Sequence, residues 1–203
     1  DEDEKVIETV TNNASGIFRF AEIVYTLEDV GTHTYIVKEV NDGKPGYTYD
    51  DTQYEIVVTV ADAGNGTLDV TYTVNGTANG AITFANEYTA EGSVQFEGTK
   101  TLTGATLTAD QFRFTLTGEG VNKTATNDAA GKFRFAAINY TLADVGEHTY
   151  IVKELNDGRV GYTYDDTQYE IVVTVADAGN GTLDVTYTVN GTANGAITFA
   201  NEY

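Results

Sequence analysis

The chain contains no cysteine, no methionine and no tryptophan, and only one proline. Without cysteine there can be no disulfide, no thiolate metal site and no thioester chemistry. An extracellular protein of this composition must draw its toughness from something other than disulfides. Basic residues are also scarce: 11 Lys and Arg stand against 31 Asp and Glu, for a net charge of −20. Phosphate backbones are held by clustered Lys and Arg, so this composition excludes a nucleic-acid partner. The acidic excess keeps the surface well solvated. No run of about 18 apolar residues occurs, so no segment is expected to span a membrane. No signal peptide and no anchoring tail are legible either; if the parent protein is secreted or wall-attached, this is a piece cut from it.

What the chain does contain points to strands. Thr, Val and Tyr are abundant, and the 21 glycines cluster with Asn and Asp in turn-like stretches such as ADAGNGTLD and VNGTANGAI. Beta-branched and aromatic residues favour pleated strands, and Gly/Asn/Asp pairs favour tight hairpins. The fold class is therefore all-β. Residues 18–88 recur as residues 133–203, and residues 46–88 are identical to residues 161–203. This period is too long for a solenoid unit and matches one small β-sandwich. The expected organisation is tandem immunoglobulin-like sandwiches, residues 1–88 and 89–203. Nothing in the first copy matches residues 89–115, the two opening strands of the second. Lys5, in the acidic run DEDEK, aligns with Gly120 and does not replace the missing segment.

In the second copy the expected strands are SVQFEGTKTLT, QFRFTLTG, FRFAAINYTL, HTYIVKEL, YTYDD, QYEIVVTVAD, LDVTYTVNG and AITFANEY. Side chains alternate across a strand, and three polar residues fall on apolar faces. Lys100 shares a face with Val94, Phe96 and Leu102; Glu154 with Tyr150 and Val152; Asn201 with Ile197 and Phe199. Burying each of these separately would cost several kcal/mol, and a shared site removes much of that cost. The three also make a chemistry together. A neutral amine is a nucleophile, a carboxamide is an acylable carbon, and a protonated carboxyl between them can polarise and shuttle protons. The product would be a Lys–Asn amide, formed once per domain with loss of ammonia.

GTKTLTG, YIVKEL, YDDTQYEIVVTV and FANEY together resemble the pilin isopeptide linkage domain of Gram-positive backbone pilins and surface adhesins. The resemblance covers the whole second copy and most of the first. It implies a CnaB-like sandwich whose first-strand Lys100 bonds to the last-strand Asn201 with help from Glu154. In the first copy the matching acid is Glu39 and the matching asparagine is Asn86, with no matching lysine in this chain. Two explanations stand: the fragment begins mid-domain, or a neighbouring chain donates the missing strands and their lysine. The implied role is a stalk or shaft segment on a bacterial cell surface, with neighbouring repeats or fibre subunits as partners. A host surface ligand is the alternative partner, and a ligand- or glycan-binding adhesin module the alternative function. No cofactor is expected, and the only catalysis is self-directed and single-turnover.

Other residues are read as structural. His33 and His148, each without a companion His or Cys, are taken as strand-start surface residues. ADAGNGTLD lacks the alternating acidic pattern of a calcium loop and reads as a hairpin turn. Asp165 and Asp166 are read as solvated strand-end residues, since adjacent carboxylates point to opposite faces.

Overall fold

A computed structural model describes residues 5–203; the acidic run at residues 1–4 lies outside the described residues. The strands are β1 (Gly31–Lys38), β2 (Tyr47–Thr48), β3 (Gln53–Asp62), β4 (Leu68–Val74), β5 (Thr77–Ala78) and β6 (Glu87–Tyr88). They continue as β7 (Glu91–Val94), β8 (Glu97–Thr103), β9 (Arg113–Gly118), β10 (Val121–Thr126), β11 (Lys132–Arg134) and β12 (Ile138–Thr141). The last five are β13 (Gly146–Leu155), β14 (Gln168–Asp177), β15 (Leu183–Val189), β16 (Thr192–Ala193) and β17 (Thr198–Glu202). Single 3-10 turns at Leu27–Asp29 and Leu142–Asp144 are the helical elements among the described residues, so the fold is all-β.

The chain divides into two compact units. The first holds the residues up to Val40 and Asp50–Ala85; the second holds Asn41–Tyr49 and Asn86–Tyr203. This division differs from the repeat boundary at residue 88, for a physical reason. β2 pairs antiparallel with β6, which joins residues 41–49 to the start of the second unit. Tyr88 also belongs there: its hydroxyl donates to Asp177 Oδ1 at 2.8 Å.

In the second unit a six-stranded sheet runs in the order β10-β9-β13-β14-β15-β16. Opposite it lie a three-stranded sheet, β11-β8-β17, and the pair β12-β7. The core follows from alternation. Phe114 and Leu116 on β9, Tyr150 and Val152 on β13, and Ile171, Val173 and Val175 on β14 are all buried. Phe114 stacks on Phe133 of β11 at 3.8 Å and on Phe199 of β17 at 5.3 Å, so its ring ties the two sheets together. Burial of each such side chain contributes about 1.5–3 kcal/mol.

Three strands differ from their sequence reading. SVQFEGTKTLT is not continuous: β7 pairs with β12, the strand is interrupted at residues 95–96, and β8 pairs with β11 and β17. FRFAAINYTL splits as well. Phe133 and Phe135 point inward, as do Ile138 and Tyr140. The inward parity therefore switches across residues 136–137, which an unbroken strand of period two cannot do. β10 is not among the expected strands because Lys123 interrupts its weak alternation, in which Val121 and Ala125 pack against the core. Its pairing with β9 is set by the two-residue turn Glu119–Gly120, both at positive φ (46° and 79°), as a primed hairpin turn requires. Of YTYDD, only Thr163 makes a strand-like bridge, to Glu202.

The first unit contains one sheet, β1-β3-β4-β5. Among the described residues β1 pairs with β3 alone, whereas its counterpart β13 pairs with both β14 and β9. Val6, Ile7 and Val24 are exposed. Residues 81–86 form no strand, although the identical residues 196–201 lead into and form most of β17.

Candidate crosslinking site

β8 and β17, the second and the last strand of the second copy, lie side by side and parallel, with Phe199 opposite Lys100 and Asn201 opposite Leu102. β13 faces them from the other sheet and carries Glu154 opposite Phe114 of β9. Alternation turns Lys100, Glu154 and Asn201 into the space between the sheets, and the structure brings all three together. Lys100 is 2 % exposed, Glu154 8 % and Asn201 3 %. Lys100 Nζ lies 2.7 Å from Glu154 Oε2, with both side chains fully shielded from solvent. Asn201 Nδ2 donates to Glu154 Oε1 at 2.8 Å. The carboxylate thus bridges the amine and the carboxamide, one oxygen to each.

The walls are aromatic. Lys100 Nζ sits 4.7 Å from the Phe112 ring centroid, and Phe112 is itself backed edge-on by Tyr162 and Tyr164. Burial pushes the Lys100 amine below its ordinary range, opposed by the Glu154 hydrogen bond and charge. Burial likewise pushes the Glu154 carboxyl up, opposed by Lys100 and by the Asn201 hydrogen bond. Each shift favours the uncharged form of its group. Moving one proton from Lys100 to Glu154 leaves a neutral nucleophile beside a protonated acid, and burial favours that transfer.

Local features hold the lysine in place. Its backbone N–H donates to Gly131 O at 2.6 Å. Gly131 has φ +81°, and a Cβ there would fall 2.1 Å from Lys100 O, so only glycine fits against this strand. The asparagine is held from its other side, because Asn201 Oδ1 accepts from the Asp165 backbone N–H at 2.8 Å.

Asp165 corrects the sequence reading. It is half-buried rather than solvated, and its carboxylate accepts from Thr167 N at 2.9 Å and Ala200 N at 2.8 Å. Asp166 is exposed, as expected. His148 is also corrected: it is half-buried, with Nδ1 2.6 Å from Glu119 Oε2 and Nε2 2.7 Å from the Asp144 carbonyl oxygen. In the first copy Glu39 is half-buried just beyond β1, and Asn86 is exposed just before β6. Sequence reasoning also missed Asn127. It is 1 % exposed, accepts from Phe112 N and donates to the Thr108 and Asp128 carbonyls. Nothing in its strand parity marks it, because it lies in the turn after β10. Among the described residues no group of three or more His, Cys, Asp or Glu could hold a metal ion, and no helix is long and apolar enough to cross a membrane.

The fold and site define an all-β protein whose buried amine, carboxyl and carboxamide meet between parallel second and last strands. The chain belongs to the family described as the Spy0128-like isopeptide containing domain, matched over residues 1–89 and 96–203. Among solved structures it is similar to a variant of the major pilin of Streptococcus pyogenes, at 21% identity over 87% of this chain and 71% of that one, with a TM-score of 0.27. It is also similar to the T3.2 major pilin of the same organism, at 18% identity over 91% of this chain and 70% of that one, with a TM-score of 0.28. A search of curated proteins gave no match.

Proposed function

We propose that this chain is a shaft segment of a bacterial surface fibre, pilus or adhesin stalk, locked by an autocatalytic amide between Lys100 and Asn201. The observation that carries this reading is the bridging carboxylate of Glu154, with Lys100 Nζ on one oxygen and Asn201 Nδ2 on the other, in a site closed to water. Family membership supports it. In the reaction, Lys100 passes a proton to Glu154 and its neutral Nζ attacks Asn201 Cγ. A C–N bond forms and the Cγ–Nδ2 bond breaks. Glu154 returns its proton to the departing nitrogen, which leaves as ammonia, and then takes up the second proton that Nζ sheds as it becomes the amide N–H. Proximity in such a fixed array is worth about 7–11 kcal/mol of barrier. The protein turns over once, on itself.

The function is mechanical. A bond from β8 to β17 closes nearly the whole second copy into one covalent loop, so tension along the chain bypasses the hydrogen-bond ladders. The location is the outside of the cell, and the partners are neighbouring repeats or subunits. Intact mass tests the reading: one bond lowers the mass by about 17 Da, the mass of the ammonia expelled. A mass equal to the sequence value would sink it.

A second reading concerns the first copy, where β1 has no second neighbour among the described residues and Asn86 is exposed. There a strand pair like residues 89–118, supplied by another chain, completes the sheet, and its lysine bonds to Asn86. A dimer that survives boiling in denaturant and is lost in Asn86→Ala supports this. A purely monomeric denatured chain excludes it.

A further inference from the structure

We propose that Asp165 supplies the oxyanion donor of the crosslinking reaction through its backbone N–H, and that its side chain is the clamp that aims this donor. The inference rests on the Lys100–Asn201 crosslink proposed above and assigns it a fourth group.

An N–H can only donate, so the Asp165 amide 2.8 Å from the Asn201 carboxamide determines which end of that group is oxygen. The nitrogen is thereby turned onto Glu154, where it must be protonated in order to leave. When Lys100 Nζ adds to Cγ, the C=O electron pair moves onto Oδ1. The Asp165 N–H already points at that oxygen, on a residue 3 % exposed, and stabilises the charge as it develops. Collapse of the tetrahedral centre returns the pair to the C=O bond and expels Nδ2 with the proton from Glu154, while Nζ gives its second proton to the carboxylate so freed. No external reactant is needed.

The clamp is explicit. Asp165 Oδ1 accepts from Thr167 N, which folds residues 165–167 into an Asx turn, and Oδ2 accepts from Ala200 N, the residue before Asn201. One carboxylate thus fixes both the turn that bears the donor and the strand that bears the acceptor. Burial opposes its ionisation, but these hydrogen bonds and the Lys100 charge hold it below the usual carboxylate range, so it stays an acceptor. The same clamp is built into the first copy, where Asp50 accepts from Thr52 N at 2.9 Å and Ala85 N at 2.9 Å. It therefore forms without a counterpart of Lys100 alongside.

The test replaces the Asp165 amide by an ester through cell-free incorporation of the α-hydroxy acid, which deletes the N–H and keeps the side chain. Loss of about 17 Da is followed in time after synthesis, with melting and near-ultraviolet circular dichroism as checks of folding. Removal of one oxyanion donor costs about 10²–10³-fold in rate. The ester chain should slow by that factor at every pH without moving the pH profile, since Lys100 and Glu154 still titrate as before. Asp165→Ala should slow comparably, and Asp165→Asn, which keeps the acceptor for Thr167, should recover part of the rate. An ester chain that folds and crosslinks as fast as the parent overturns the assignment to Asp165. A parent chain that never loses ammonia overturns instead the crosslink on which the assignment rests.

Discussion

Replacing Lys100 and Glu154 together by Met and Gln isolates what the covalent bond contributes to stability. Lys100 and Asn201 stand 101 positions apart (201 − 100). In the chain-entropy account, closing a loop of about 100 residues removes unfolded-state freedom worth about 4.7 kcal/mol. No ion pair enters the comparison, because the crosslinked lysine nitrogen is a neutral amide and the double variant places neutral groups of similar size at both positions. A repeat copy of about 115 residues unfolds with an entropy of about 0.24 kcal/mol/K, so the double variant should melt roughly 20 °C below the crosslinked chain. Glu154→Gln alone should fare worse. It strands a buried ammonium whose lost partner costs about 3–5 kcal/mol more, and the combined loss approaches the entire stability of an ordinary domain. Intact mass establishes which chains carry the bond, and calorimetry gives the melting temperatures. A double variant within about 5 °C of a crosslinked parent would refute the loop-closure reasoning. A single variant as stable as the double would refute the buried, uncompensated lysine.

Phe114→Ala removes the ring that joins the sheets through Phe133 and Phe199, and should cost about 3–5 kcal/mol in denaturant unfolding of the second unit. Gly131→Ala must move either a backbone at φ +81° or the Lys100 carbonyl, so mass-loss kinetics should show slower bond formation in a chain that still folds. His148 has its pKa raised, first by the Asp144 carbonyl and then by Glu119, while Glu119 is held low by the Thr149 N–H and by His148. The histidine's contribution is therefore fully present below about pH 6.5 and fades as pH rises through its raised folded value. The melting-temperature gap between the parent and His148→Gln should accordingly narrow from pH 6 toward pH 9, and a gap that widens would contradict the sign.

Much of this was legible without coordinates. Composition and alternation determine an all-β chain, because period-two apolar patterns bounded by Gly/Asn turns admit little else. The repeat is explicit in the letters. Parity alone turned Lys100, Glu154 and Asn201 inward, since each sits on a strand whose neighbours of the same parity are apolar. Asp165 escaped because its partners are backbone groups across the fold: parity describes side-chain direction, not where an N–H points. The breaks in SVQFEGTKTLT and FRFAAINYTL escaped because a strand ends where its neighbour changes, and the neighbour is not written in the strand.

The sharpest division between sequence and tertiary structure is internal to the chain. Residues 46–88 and 161–203 are the same sequence, with the same propensities and the same alternation. In one copy Phe199 and Asn201 are buried on a strand paired with β8; in the other Phe84 is half-buried and Asn86 is exposed, with no strand at residues 81–86. Sequence by itself determined which face of the last strand is apolar and which residues could react. Only the tertiary structure decided that Asn201 meets a lysine 101 positions away (201 − 100). Strand hydrogen bonds and burial both require a second element, and in the second copy β8 supplies it.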